Sequence, residues 1–158
     1  MTKTYLTPLS VDEQRDAGLP ESWPFALRNM VEFSELDALN HVNNAAYLYW
    51  YENIRVRYFQ HVALTKYQPD DPRIVIRRGE VDYLREMVQN EDYIVTLRTE
   101  SYRNTSFTVY SEVWSSGVLR STFRGVIVLL HPDGSGRMPL PAEFLTRIQT
   151  VDGAVKAG

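Results

Sequence analysis

Residues 35 to 44 read Glu-Leu-Asp-Ala-Leu-Asn-His-Val-Asn-Asn, which gathers a carboxylate at Asp37, an imidazole at His41 and amides at Asn43 and Asn44 ahead of a helical pattern. A helix N-terminus presents unpaired backbone N–H groups and partial positive charge, and so can stabilise the oxyanion formed when an acyl carbonyl is attacked. Asp37 would drive the attack, either as the nucleophile or as a general base on water. Residue types leave both open. The plain alternative is that Asp37 closes an Asx-turn and caps the loop. His41 also has two readings, a proton donor to the leaving group or an imidazole that anchors the loop.

These residues need a rigid frame. Phe25, Leu27, Val31 and Phe33 are spaced as in a half-buried strand over 25–33 that runs into the Asp37 loop. Asn43 and Asn44 offer N-caps to a helix of about four turns, in which Tyr47, Trp50, Tyr51, Ile54 and Tyr58 recur at helical spacing. The first half of this helix is apolar nearly all round, which predicts a central helix wrapped by other structure. After Pro69-Asp-Asp-Pro72, four strands are predicted at 74–84, 93–102, 106–114 and 118–130, separated by turn-forming residues. The expected architecture is α+β: one helix against a curved, largely antiparallel sheet of five to six strands. Residues 1–22 read as an N-terminal arm with a short helix near 11–17, 141–149 as a short C-terminal helix and 150–158 as a flexible tail, all within one domain spanning 1–158. A short sheet leaves edges to protect, so a homodimer is expected, with a tetramer open.

Composition narrows the chemistry. The 158 residues are 44% hydrophobic and carry a net charge of −3, which offers neither a nucleic-acid footprint nor a polybasic membrane patch. With no cysteine, thiolate catalysis and Cys-based zinc sites are excluded, and the histidines at 41, 61 and 131 lack ligand spacing, so no metal and no cofactor is expected. No apolar run is long enough to span a bilayer, and the expected location is cytoplasmic. There is no Gly-x-Ser-x-Gly elbow, no phosphate-binding Gly-rich loop with Lys and no His-Glu-x-x-His helix.

The segment Val31-Glu-Phe-Ser-Glu-Leu-Asp-Ala-Leu-Asn-His-Val-Asn-Asn-Ala-Ala-Tyr-Leu-Tyr-Trp-Tyr-Glu-Asn-Ile-Arg55 resembles the 4-hydroxybenzoyl-CoA thioesterase-like branch of the hotdog superfamily. Plant acyl-carrier-protein thioesterases carry a similar string. The resemblance implies a hotdog fold and acyl-CoA hydrolysis, with Asp37 as the catalytic carboxylate and the backbone N–H at Asn44 polarising the thioester carbonyl. Asn43 and Tyr47 also match the family pattern, and weaker resemblance runs on through Arg103-Asn-Thr-Ser-Phe107. Asn40 replaces the family's glycine, and asparagine tolerates the left-handed backbone such a glycine adopts.

Tyr47, Tyr49, Trp50 and Tyr51, with Trp114, read as core and dimer packing or as the wall of an acyl pocket, and Asn43, Tyr47 and Trp50 are the candidate substrate contacts there. The phosphates of coenzyme A call for arginine, and Arg103 with Ser106 is the preferred pair. Adjacent Arg77 and Arg78 should point to opposite faces of a strand, so at most one serves that end. Glu52 is best explained as an i,i+3 ion-pair partner of Arg55. Non-catalytic acyl-thioester binding and hydrolysis of an acyl-carrier-protein thioester are the alternatives to an acyl-CoA thioesterase.

Overall fold

A computed structural model of the chain describes residues 2–158. Its elements are α1 (Val11–Asp16), β1 (Phe25–Met30), α2 (Asn44–His61), β2 (Arg73–Tyr83), β3 (Asp92–Tyr102), β4 (Ser106–Ser115), β5 (Val118–Leu130), α3 (Ala142–Arg147) and β6 (Val155–Lys156). The strands form one sheet ordered β1-β3-β4-β5-β2, with β6 beside the end of β3. Every pairing is antiparallel except β3 with β6. The α+β, antiparallel architecture expected from the residue pattern is the one found.

Helix α2 lies on one face of this sheet. Its Tyr47, Trp50, Tyr51, Ile54, Tyr58 and Phe59 are buried, a stripe at spacings of three and four that sets one side of the helix against the sheet. They meet inward-facing residues of β3, β4 and β5, among them Leu97, Val109, Phe107 and Ile127. Each fully buried side chain of this size contributes roughly 1.5–3 kcal/mol of transfer free energy, so the stripe is what holds the helix down. Phe123 of β5 lies against Gly79 and Gly125, which face each other across β2 and β5, and stacks on Tyr51 at 5.0 Å. A Cβ at Gly125 would come within 2.7 Å of the Phe123 ring, so the missing side chain makes room for it.

The expectation of a long central helix wrapped on all sides is corrected. The 18 residues of α2 are covered by the sheet on one flank only, and Leu48, Tyr49 and Val56 are exposed on the other. The apolar character of its first half is therefore partly uncovered surface within one chain.

The N-terminal arm covers the opposite face of the sheet. Leu9, Leu19 and Trp23 pack on Ala26 and Ile94 as a second cluster. This is why Thr96 is buried although it alternates with inward-facing Val95 and Leu97. A capping box joins Ser10 and Glu13 at the start of α1. The buried amide of Gln14 clamps the arm by accepting from the Trp23 N–H and donating to the Leu9 and Trp23 carbonyls.

Three further expectations are corrected. The first strand ends at Met30, not at 33, and a 3-10 turn over Phe33–Glu35 follows it. The tail is not free, because Val155 and Lys156 pair with Ser101 and Tyr102. The carboxylate of Asp152 also accepts from the Tyr58 hydroxyl and from the Thr99 N–H. Finally, no Glu52 to Arg55 ion pair occurs among the described residues. Arg55 is buried and places its guanidinium over Phe123, 5.1 Å from the ring centre.

Candidate active site

The loop from Glu35 to Asn43 is folded back on itself by its own backbone. Leu36 and Val42 form an antiparallel bridge, and the Val42 N–H donates to the carbonyl of Met87, a fully buried residue between β2 and β3. Asn40 turns the corner with φ of 60°, the left-handed conformation that asparagine accepts at lower cost than most residues.

Asp37 sits at the mouth of this turn. Its Oδ1 accepts from the Leu39 N–H at 2.8 Å and the His41 N–H at 3.3 Å, while its own N–H donates to the His41 carbonyl at 2.8 Å. The Asx-turn reading is thus correct for one oxygen. Oδ2 has no hydrogen-bond partner among the described residues, a division that fixes the carboxylate while leaving one oxygen for chemistry.

The cleft beside it has a volume of about 350 Å³ and brings together Asp37, His41, Asn44 and Tyr47 with Tyr83, Arg85 and Glu86. Asn43 forms the N-cap of α2, its Oδ1 accepting from the Ala46 N–H at 2.8 Å and its Nδ2 donating to the Glu35 carbonyl at 3.0 Å. Asn44 is the first helical residue, so no bond within the helix uses its N–H. The Tyr83 hydroxyl donates to the Asn44 carbonyl at 3.1 Å, and the Tyr83 ring meets Tyr47 edge-on at 5.3 Å, which ties the end of β2 to the helix start. Burial pushes the Tyr47 hydroxyl up to about 12, so it is a neutral donor. His41 Nδ1 lies 3.7 Å from the Glu86 carboxylate. The loop is anchored through the His41 backbone, and its imidazole is left toward the cleft.

Other sequence-predicted residues fall elsewhere. Trp50 lines a separate groove of about 540 Å³ on the β1 side of α2, where it stacks on Tyr93 with ring centres 4.0 Å apart. Its Nε1–H donates to Glu35 Oε1 at 2.7 Å, and Glu35 Oε2 accepts from the Glu32 N–H. Glu35 therefore positions the loop against the helix. Arg103 and Ser106 line a third cleft, on the sheet face away from α2, and both Arg77 and Arg78 line it with them. The rule that adjacent strand residues point oppositely fails here because the β2 to β5 register shifts between Ile76 and Arg78, which makes Arg77 the extra residue of a β-bulge.

Tyr83, Glu86 and the Glu35 to Trp50 bond are site features that residue spacing did not expose. Each depends on contacts between segments distant in sequence, and only the loop and the helix start are local. Among the described residues no group of three or more His, Asp or Glu side chains could hold a metal ion. No helix of the described residues is long and apolar enough to cross a membrane.

A thioesterase-superfamily protein from Jannaschia sp. CCS1 is 40% identical, with 99% of this chain and 100% of that one covered and a TM-score of 0.93. A thioesterase from Thermus thermophilus, solved with coenzyme A and Zn, is 33% identical over 83% of this chain and 96% of its own, with a TM-score of 0.72. The chain also matches YsmA of Bacillus subtilis (strain 168) at 26% identity over 89 residues, which is 56% of this chain and 60% of that protein. The chain therefore spans less than two thirds of that curated relative. With the family model matching residues 31–148, from the strand end through the Asp37 loop, α2 and the whole meander, the chain belongs to the thioesterase-like superfamily and has its hotdog fold.

Proposed function

We propose that the chain hydrolyses an acyl-CoA of small or medium acyl group to the free acid and coenzyme A. The observation that carries this reading is the split role of Asp37, whose Oδ1 is held by two backbone N–H groups while Oδ2 is left unpartnered beside the cleft that contains the start of α2. The thioester carbonyl would accept from the Asn44 N–H, with the helix dipole favouring negative charge on that oxygen. Asp37 then acts in one of two ways. As nucleophile it bonds to the carbonyl carbon, the C–S bond breaks to release thiolate, and water hydrolyses the mixed anhydride. As general base it takes a proton from water as that water bonds to the carbonyl carbon, and the thiolate leaves with a proton returned to it. The imidazole of His41 is on hand for that return. Coenzyme A as the carrier is supported by the 33% identical Thermus protein, a thioesterase solved with coenzyme A bound.

Asp37 is exposed within one chain. A homodimer paired along the free edge of β2 would close the cleft, since Tyr83 and Arg85 lie at the end of that strand and just beyond it.

The test is Asp37→Asn, which keeps an oxygen to accept the Leu39 and His41 N–H groups and removes only the charge. Free-thiol release from a panel of acyl-CoA esters should fall roughly 10²- to 10⁴-fold, with an unchanged melting curve. Parent-like rates across every ester that the parent hydrolyses would remove Asp37 from the mechanism.

A further inference from the structure

The groove of about 540 Å³ on the β1 side of α2 has no part in the chemistry at Asp37. Leu27 and Asn29 of β1 form one wall with Val95 and Tyr93 of β3, which lie directly opposite them in the register and so on the same face of the sheet. Trp50 and Ile54 of α2 close the other side. Along its exposed rim stand Asn53, Arg57 and Gln60, at spacings of four and three that put them on one stripe of the helix. Leu6 of the N-terminal arm completes the lining. Its φ is 56°, a left-handed conformation that costs a leucine energy and persists only where neighbours hold it. Here its N–H donates to the Arg28 carbonyl at 2.9 Å, and its own carbonyl accepts from Arg57 at 3.2 Å.

Charge and shape specify what fits. Arg57 is the only charged residue in the lining, and none of the ion pairs among the described residues involves it. The Leu6 carbonyl that it meets is neutral, a weaker acceptor for a guanidinium than a carboxylate is. Asn53 and Gln60, which flank Arg57 along the helix, add carboxamide N–H donors to the guanidinium fork, a combination suited to the two oxygens of a carboxylate. The body of the ligand follows from the apolar lining. Trp50 stacks on Tyr93 with ring centres 4.0 Å apart and planes 21° apart, so those faces are engaged with each other. What remains is ring edges and the aliphatic Leu6, Leu27, Ile54, Val56 and Val95, which suit an alkyl chain better than a flat ring.

We propose that this groove binds a free aliphatic carboxylate of medium chain length, with its charged end on Arg57 and its chain laid over Leu27, Ile54 and Val95. The site is separate from the cleft at Asp37, with which it shares no lining residue. Arg57 lies 13 residues beyond Asn44 on α2, about 20 Å at 1.5 Å per residue. A carboxylate held there is out of reach of Asp37. The site is therefore one of binding, not turnover, and does not rest on the proposed function.

Isothermal titration of the intact protein with butanoate, hexanoate, octanoate and octanamide measures both halves of the site. Affinity should rise with chain length by up to about fourfold per added CH2. Octanamide keeps the chain and loses the charge, and should bind about tenfold or more weakly than octanoate. Arg57→Gln should weaken octanoate by about the same factor and leave octanamide unchanged, whereas Arg57→Lys restores the charge and should recover most of the octanoate affinity. Arg57 and Leu6 are both exposed, so their variants should melt as the parent does. Leu6→Ala trims the apolar wall and should weaken octanoate and octanamide alike. Asp37→Asn should bind octanoate as the parent does. If octanoate binding follows Asp37 and not Arg57, the acid occupies the Asp37 cleft and the groove assignment fails. Absence of octanoate binding at millimolar concentration, affinity that is flat with chain length, or equal octanoate binding by the parent and Arg57→Gln would also overturn it. None of these measurements requires turnover, so a protein that hydrolyses no thioester can still pass, and an active hydrolase can still fail.

Discussion

The two oxygens of Asp37 are not equivalent, and the turn that distinguishes them depends on one backbone angle. Oδ1 can reach the Leu39 and His41 N–H groups only because the chain reverses at Asn40 with φ of 60°. A residue with a Cβ but no compensating side-chain amide is strained there, whereas glycine is not. Asn40→Ala should therefore cost about 1 kcal/mol and Asn40→Gly less than about 0.5 kcal/mol, as read from urea denaturation. If the Asp37 geometry matters to turnover, hydrolysis should follow the same order, with glycine near the parent and alanine below it. Equal stability of the two variants would show that the left-handed turn is not under strain. At this scale much was legible from sequence. The bonds of Asp37 itself are local, running over four residues or fewer, and Asn40 stands where the family resemblance implies a glycine. Glu35 was not legible, because its partner Trp50 lies 15 residues away on the helix and nothing in the spacing singles out that pair.

Elements differ in the same way. Alternation and helical spacing located α2 and the four strands of the meander to within a residue or two, since each buries a regular face. The bulge at Arg77 escaped, because a two-residue period carries no mark of where an extra residue is inserted. The C-terminal segment escaped for another reason. Its small residues look like a tail, but Asp152 is placed between Thr99 and Tyr58 by the turn after α3, a contact across 94 residues. Burial holds the Asp152 carboxyl above its ordinary value, against the lowering effect of the hydrogen bonds from Tyr58 and Thr99. A raised folded-state value means that the folded protein retains this proton more tightly than the unfolded chain. Its stabilising effect is full below the ordinary carboxylate value of about 3.9 and is lost as pH rises through the raised value. Asp152→Asn removes that dependence. The stability of the variant relative to the parent should therefore improve as pH increases from about 4, measured by urea midpoints across a pH series. A difference that stays flat with pH would mean that the buried carboxyl titrates as it does in the unfolded chain.

The whole molecule leaves one side of its architecture unfinished. Among the described residues strand β2 pairs only with β5, and its eleven residues present a free edge beside exposed Val75, Ile76 and Tyr83, with Leu48 exposed on α2. A long uncapped edge with apolar neighbours is an association surface, and an antiparallel strand pairs with its own copy about a two-fold axis without any change of register. Such pairing would extend the sheet, cover the open flank of α2 and bring a second chain to the cleft that contains Asp37, Tyr83 and Arg85. The parent should therefore sediment as a dimer, or a multiple of one, at micromolar concentration. Ile76→Lys places a charge on the edge without touching the buried core, since Ile76 is half exposed, and should shift the chain toward monomer while its melting transition remains cooperative. If the site depends on the second copy, thioester hydrolysis by Ile76→Lys should fall with the dimer fraction and recover as protein concentration rises, while Ile76→Val behaves as the parent. A fully active monomer, in the parent or in Ile76→Lys, would place all of the catalytic machinery within one chain and leave the β2 edge without a catalytic role.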